Sequence, residues 1–417
     1  MIKNLLNKLT YGVAVLFGVA TLVFLLFALK PGDPVRMMGG QFVDEATKHA
    51  IEVDLGLNYS TGFRYIQYLN DLSPISYYQE EGLFSIKRVQ ISGYNIVGNV
   101  WVKFPYLRKS YQTKLPVTRI IANTFPSTAL LACISMLFAL FFGIILGVFS
   151  ALKKGTLFDQ SALFVSVLGM SGPSFFMAIL LSWLGGFVWY QFIQVPILPL
   201  VLGLLLFFLK VRKGILPAIK QLFIGLVLGF VLTFILNILV STLHWDWLNP
   251  MLYHISLPGT GLNMTGSLTD IHPFEGEYTS WKNLILPALT LGIRPLAVVV
   301  QLTRNTLLEV LNEDYIRTAT AMGLSRNKII FKYALKNSLA PVITTISGWF
   351  ASLLAGAVFV EFVFGWKGLG LTVFNALEKE DMPVVMGCVL FFASIFVIIN
   401  ILVDITYNLL DPRTRNN

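Results

Sequence analysis

Fifty consecutive residues, Gln160 to Leu209, carry no charged side chain, and no single membrane crossing accounts for so many. A helix needs about 20 apolar residues to cross a hydrocarbon core of about 30 Å, so this run predicts a helical hairpin. Gly172-Pro173 should kink its first arm, with Pro196 and Pro199 near the outer turn beside Trp183, Trp189 and Tyr190. Leu9 to Leu29 gives 21 uncharged residues between Lys8 and Lys30, and 33 more lie between Arg119 and Lys153. The chain is 55% hydrophobic and 13% charged, against roughly 25% charged in soluble domains. It reads as an all-α polytopic membrane protein.

Residues 1–30 are expected to form a retained first span, since the apolar run exceeds the roughly 7–15 residues of a signal-peptide core. Residues 31–117 are polar, aromatic and loosely alternating from Phe84 to Lys103, which predicts a small external α/β or β domain. Core spans follow in 118–194, with the part before Pro126 expected along the outer interface. Residues 195–243 are expected to be a transmembrane hairpin, 244–283 an external loop, and 284–413 further spans around a cytoplasmic loop, 309–337, with a tail at 414–417. The span from Leu284 should be interrupted at Pro287 and at Arg294-Pro295. Gly143 with Gly147, and Gly225 with Gly229, have the spacing that lets helix backbones approach. Lys and Arg gather beside the apolar runs on one side, the cytoplasmic side by the positive-inside rule. Eight spans with both termini cytoplasmic satisfy that distribution. It also explains the net charge of +9 without a nucleic-acid partner.

Several chemistries have no signature here. The phosphate-loop pattern G-x-x-x-x-G-K-[ST] and the zinc pattern H-E-x-x-H do not occur, and the four histidines lack ligand spacing. Gly169-Met170-Ser171-Gly172 falls short of a nucleophile elbow. The glycine-rich Gly259 to Gly266 follows no expected strand and opens no expected helix. The two cysteines, Cys133 and Cys388, lie in apolar runs and are expected to be buried free thiols. No catalytic residue, no metal ligand and no cofactor of its own is expected, so any ATP would be handled elsewhere.

The loop 309–337 is the long polar interruption late in the chain. Between Arg304 and Lys336 stand six basic residues and three acidic ones. Gly323 fits the left-handed position after a helix, and Ser325 fits an N-cap of the next. A helix pair hung between spans is a docking platform. A DNA-binding helix-turn-helix is opposed by tethering at both ends; a coupling element seated in a partner protein is the competing reading.

The residues Asp314-Tyr315-Ile316-Arg317-Thr318-Ala319-Thr320-Ala321-Met322-Gly323-Leu324-Ser325 resemble the coupling motif of permease subunits of bacterial ABC importers, in the form found in the dipeptide/oligopeptide/nickel branch. The family-wide E-A-A-x-x-x-G form is not matched, because Arg317 stands at the Glu position. Lys30 to Met37, Asp54-Leu55-Gly56-Leu57, Ala334 to Pro341, Gly356 to Gly370 and Asp404 to Arg413 resemble further segments of the branch. The resemblance implies a type I importer bundle, six core spans plus an inserted hairpin. It also implies two ABC ATPase subunits that bind ATP and Mg, a homologous second permease subunit, an extracytoplasmic solute-binding protein and a bacterial inner-membrane location. Asp314, Tyr315, Arg317, Thr318, Ala319, Ala321, Gly323, Leu324 and Ser325 would couple to the ATPase.

Ionisable residues inside spans are functional candidates by default, because burying them is costly. Arg294 either lines the pathway and meets a peptide carboxylate, or pairs with Glu361 or a carbonyl. Glu361 is a second pathway candidate with a structural alternative, and Asp404 is read as structural. The expected activity is import of di- or oligopeptides or similar solutes. The alternatives are import of nickel or another non-peptide solute, and a receptor or scaffold without transport.

Overall fold

The uncharged runs become helices in the computed structural model, which describes residues 2–29, 45, 52, 58–79, 93–97, 99–211, 215–243, 254–272 and 276–410. The segments Lys30 to Met37, Asp54 to Leu57 and Asp411 to Arg413 of the family resemblance lie outside the described residues, as does Phe84 to Ser92 of the expected strand region. Contacts divide the chain into two units, residues 1–180 with 265–417, and residues 181–264.

In the larger unit, α1 (Ile2–Leu29) precedes a short polar region. There α2 (Thr61–Leu72) starts at Ser60, whose hydroxyl accepts from the Phe63 N–H. Three antiparallel strands follow, β1 (Ile75–Tyr77), β2 (Gly93–Val97) and β3 (Val100–Lys103), in the order β1-β3-β2. Ile75 pairs with Val102 and Gly93 with Lys103. The Lys103 ammonium donates to the Asp71 carbonyl, and burial holds its pKa below the ordinary lysine value while nearby Asp71 pulls it back up. Arg108 closes an ion pair with Asp71 at 3.0 Å.

Then comes α3 (Val117–Leu152), one continuous helix of 36 residues with Pro126 inside it. The part before Pro126, expected along the outer interface, belongs to the same helix as the rest. At 1.5 Å per residue α3 is about 54 Å long, and a proline is tolerated in a membrane helix where neighbours re-satisfy the freed carbonyl. Likewise α8 (Lys282–Val310) runs unbroken through Pro287 and Pro295, where the prolines suggested interruption. By contrast, Gly172 is extended (ψ 130°), and α4 (Leu157–Ser171) and α5 (Ser174–Trp183) meet there in a break whose helical arms, 157–171 and 174–188, are bent by 110°. Gly-Pro has no Cβ on one side and no N–H on the other, so both the packing and the hydrogen bond of a helix fail together.

The smaller unit holds a π-helical turn (Leu184–Val188), β4 (Ile193–Pro196), α6 (Ile197–Val211), α7 (Ile215–Leu243) and β5 (His254–Leu257), with β4 and β5 antiparallel. A Cβ on Gly225 would come within 2.6 Å of the Leu202 carbonyl, and one on Gly229 within 2.3 Å of Pro199 Cα. The small-residue pair on α7 thus brings its backbone against α6. Gly259 has a similar reason: its Cα faces the Tyr190 carbonyl so closely that a Cβ would stand at 2.2 Å. Gly259 thus serves backbone approach, whereas Gly261 has open space and supplies a φ of +61°.

Back in the larger unit, β6 (Thr269–His272) pairs with β7 (Gly276–Thr279). After α8 come α9 (Asp314–Ala321), a short helix at Arg326–Lys328, a π-helical stretch (Ile329–Ala334), α10 (Leu335–Phe364), α11 (Leu369–Glu378) and α12 (Met382–Leu410).

Five of the described helices are long and apolar enough to cross a membrane, or seven if each of two bent pairs is one crossing. The eighth expected span corresponds to α6, whose 15 residues reach only about 22 Å. Many large side chains on these helices point outward, among them Phe141, Phe164, Phe208 and Phe234. Such surfaces suit lipid or another apolar partner, and the chain is a multi-pass membrane protein. Cys388 is buried as expected; Cys133 faces outward on α3, since a long apolar run has no polar face to mark which side turns inward.

Two cores grip the ends of α3. At its start, Val117 and Ile121 pack with Leu369, Val373 and Ala376 of α11 and Val384, Val385 and Cys388 of α12. At its end, Val148 and Ala151 pack with Leu307 of α8, Ile316 and Ala319 of α9, and Ile329 and Ala334.

Candidate coupling loop and membrane cleft

The turn after α8 is built by local hydrogen bonds. Asn312 and Glu313 donate to Glu309 and Val310 carbonyls, and extended Glu313 (ψ 149°) precedes α9. Asp314 in the first turn favours the positive end of the helix dipole. The helix ends as the sequence predicts. Gly323 has φ +76°, its N–H donates to the Thr320 carbonyl, and the Leu324 N–H reaches back to the Ala319 carbonyl. These two bonds form a Schellman cap, with Leu324 packed on the same core as Ala319. Ser325 occupies the N-cap position of the next short helix, but its hydroxyl makes no capping hydrogen bond.

The sequence-predicted coupling residues divide by face. Ile316 and Ala319 point inward and fasten α9 to the ends of α3 and α8. Ala319 is therefore buried in the anchor, and Leu324 is half-buried. Asp314, Tyr315, Arg317, Thr318, Ala321, Gly323 and Ser325 are exposed. With Met322, 68% exposed, and Tyr315, 40% exposed, the outer face combines apolar surface with an Asp314–Arg317 ion pair at 3.4 Å. The Asn337 amide donates to the Tyr315 hydroxyl, holding the ring against the start of α10.

Just above this loop lies a pair that the sequence reading passed over. The Arg304 guanidinium on α8 clasps Asp159 on α4 through two bonds, of 2.6 and 2.8 Å. Ser150 at the end of α3 and the Gly155 N–H also donate to the same carboxylate. Four segments thus meet at Asp159, one helical turn from Leu307 in the core under α9. The sequence signal was available: Asp159 is the one acid beside the fifty-residue uncharged run. Its partner 145 residues away was not.

The two pathway candidates do not come together as an ion pair. Glu361 on α10 is fully buried. It accepts from the Thr128 hydroxyl at 2.6 Å and from the Leu371 N–H at 3.0 Å, so it caps the start of α11. The Thr128 hydroxyl oxygen in turn accepts from the Leu369 N–H at 2.7 Å. A Cβ on Gly368 would lie 2.4 Å from the carboxylate, and one on Gly370 2.9 Å from it, which accounts for the glycines of G-L-G. Trp366, also fully buried, donates its indole N–H to the Ser127 carbonyl. Glu361 thus takes part in this buried, hydrogen-bonded packing. Side-chain surroundings of Asp404 lie outside the described residues.

Arg294 is exposed, has no acidic partner among the described residues, and places its guanidinium 5.6 Å from the Trp349 ring centre. A cleft of about 70 Å³ opens beside it, bounded by α4, α5, α8 and α10. A long helical bundle with an anchored polar helix pair on one end and a polar notch among its spans defines a membrane permease. The chain belongs to the family of binding-protein-dependent transport system inner membrane components, which matches residues 223–416, while the N-terminal region of such membrane components matches residues 1–132.

Among individual proteins, it is 32% identical to the di/tripeptide transport system permease protein DppB of Pseudomonas aeruginosa, over all of this chain and 99% of that protein. It is 29% identical to the dipeptide transport system permease protein DppB of Escherichia coli K12, again over all of this chain and 99% of that one. A dipeptide permease DppB of Alkalihalophilus pseudofirmus is 29% identical over the full length of both. The family resemblance carried by Asp314 to Ser325 and its companion segments therefore stands.

Proposed function

We propose that this chain is the membrane-spanning permease subunit of an ATP-driven importer of di- and oligopeptides, with alternating access driven by two separate ABC ATPase subunits that bind ATP and Mg. The transport pathway would run between it and a homologous second permease subunit, and an extracytoplasmic binding protein would deliver substrate. Both termini and the loop 309–337 would face the cytoplasm of a bacterial inner membrane. The chain itself has no catalytic role in this reading.

The observation that carries it is the two-faced helix α9. Its inner face, Ile316 and Ala319, is locked into the ends of α3 and α8, while Tyr315, Thr318 and Met322 present an outer face. A displacement applied to the outer face is delivered directly to two spans, because the core between them is close-packed. The Asp159–Arg304 clasp extends that delivery to α4. The names of the three relatives above, dipeptide or di/tripeptide permeases, support the substrate class.

The test places bulk on the outer face without touching the anchor. Thr318→Trp in the assembled complex should abolish ATP-dependent dipeptide uptake and reduce co-purification of the ATPase subunits at least about tenfold, the scale of one lost hot-spot contact. Normal association and uptake in that variant would remove α9 from the coupling role.

A further inference from the structure

We infer that Arg294 is a substrate-carboxylate site within the membrane: the cleft between Arg294 and Trp349 holds the C-terminal carboxylate of a small peptide as it crosses. This deepens the importer reading above and rests on it.

Arg294 stands twelve residues into α8 from Lys282, about 18 Å along the helix axis. That depth is expensive for a charge unless an anion, water or another protein group meets it. Within the described residues no acid does so, and no acidic side chain lines the cleft. Trp349 supports the guanidinium by a cation–π contact. Such a contact leaves the N–H groups at the rim of the guanidinium free, in the planar fork that matches a carboxylate.

The rest of the cleft is shaped for a small polar group. Gly169, Gly172 and Gly356 contribute no side chain, and Ser174 and Ser352 contribute hydroxyls. A Cβ on Gly356 would meet nothing within 4 Å, so the notch is open on that side. Its volume, about 70 Å³, is several times the roughly 10–15 Å³ that one water needs, so a carboxylate fits beside the guanidinium. A site of this kind reads the one anionic group every unblocked peptide shares and ignores its sequence. The N-terminal ammonium would be repelled, which fixes the direction in which the peptide lies.

The purified permease–ATPase complex, without binding protein, is titrated with alanyl-alanine and with alanyl-alaninamide. Wild type should bind the free acid about tenfold or more tightly than the amide, one charge-assisted pair being worth at least that factor. Arg294→Gln should bind both equally, and Arg294→Lys, which keeps the charge, should retain part of the preference and guards against a folding artefact. A preference that survives in Arg294→Gln, or no binding of the dipeptide to wild type, overturns the site. ATP-dependent dipeptide uptake by the full complex is measured in parallel. Uptake without a carboxylate preference overturns only this inference, whereas a preference abolished by Arg294→Gln without any uptake supports the site and overturns the import reading.

Discussion

Glu361 and Arg294 stand on two packed helices, α10 and α8, and their surroundings are opposite. The carboxylate is fully enclosed and receives hydrogen bonds from Thr128 and the start of α11. The guanidinium is exposed, rests on one aromatic face, and borders a cleft. Both are ionisable residues in apolar stretches, and both qualify as functional candidates on that ground alone. The difference lies in satisfaction. Where neighbouring donors are already aimed at a charge, its role is to hold helices together; where the fold leaves the charge unmatched, something from outside completes it.

Four substitutions press on that contrast. Glu361→Ala leaves the Thr128 hydroxyl and the first N–H groups of α11 without their acceptor, so the solubilised complex should lose about 3 kcal/mol or fail to accumulate. Glu361→Gln, which keeps one oxygen, should lose about 1–2 kcal/mol. A transport defect in Glu361→Ala without loss of thermal stability would put Glu361 in the pathway. Next in size, Asp159→Asn should cost about 2 kcal/mol by breaking the two-bond clasp with Arg304 while leaving that guanidinium half-buried. Denaturant melts and uptake should fall together, since the same bonds hold α3, α4 and α8. Smallest of all, Arg294→Gln should shift stability by no more than about 0.5 kcal/mol, as for an unpaired exposed group. A large destabilisation there would mean that Arg294 is structural too, and the contrast would collapse.

Much of the frame is written in the sequence. Charge spacing marks the apolar helices because a bilayer forbids unpaired charge, and Gly172-Pro173 marks the sharp bend because that dipeptide breaks two helix requirements at once. Gly323 marks the end of α9 through its positive φ. Prolines alone mislead: Pro126, Pro287 and Pro295 all sit inside continuous helices. The site was legible only where its chemistry is local. Ala319 looks like any other residue of the loop, and only the positions of Val148 and Leu307 show that it faces inward. Arg304 with Asp159, and Glu361 with Thr128, join residues 145 and 233 positions apart, a distance over which a single sequence carries no pairing information. The glycines of Gly368 and Gly370 were the one local trace of the Glu361 knot, since only a residue without Cβ fits against the carboxylate.

The contact between α3 and α8 has a mechanical consequence. A Cβ on Gly143 would lie 3.2 Å from the Leu296 carbonyl, and one on Gly147 would lie 2.9 Å from the Val300 carbonyl. The α3 main chain therefore lies directly against α8, its nearest neighbours being the short, β-branched side chains of Val299 and Thr303 as well as these two carbonyls. Two rods in such contact bend little relative to each other and behave as a single stiff beam. Contacts between them run from Gly292 beside Ser135 to Thr303 beside Gly147, so a push at the α9 end is carried along both spans together. Compliance must then reside in the joints around the beam, of which the 110° break at Gly172-Pro173 is the sharpest.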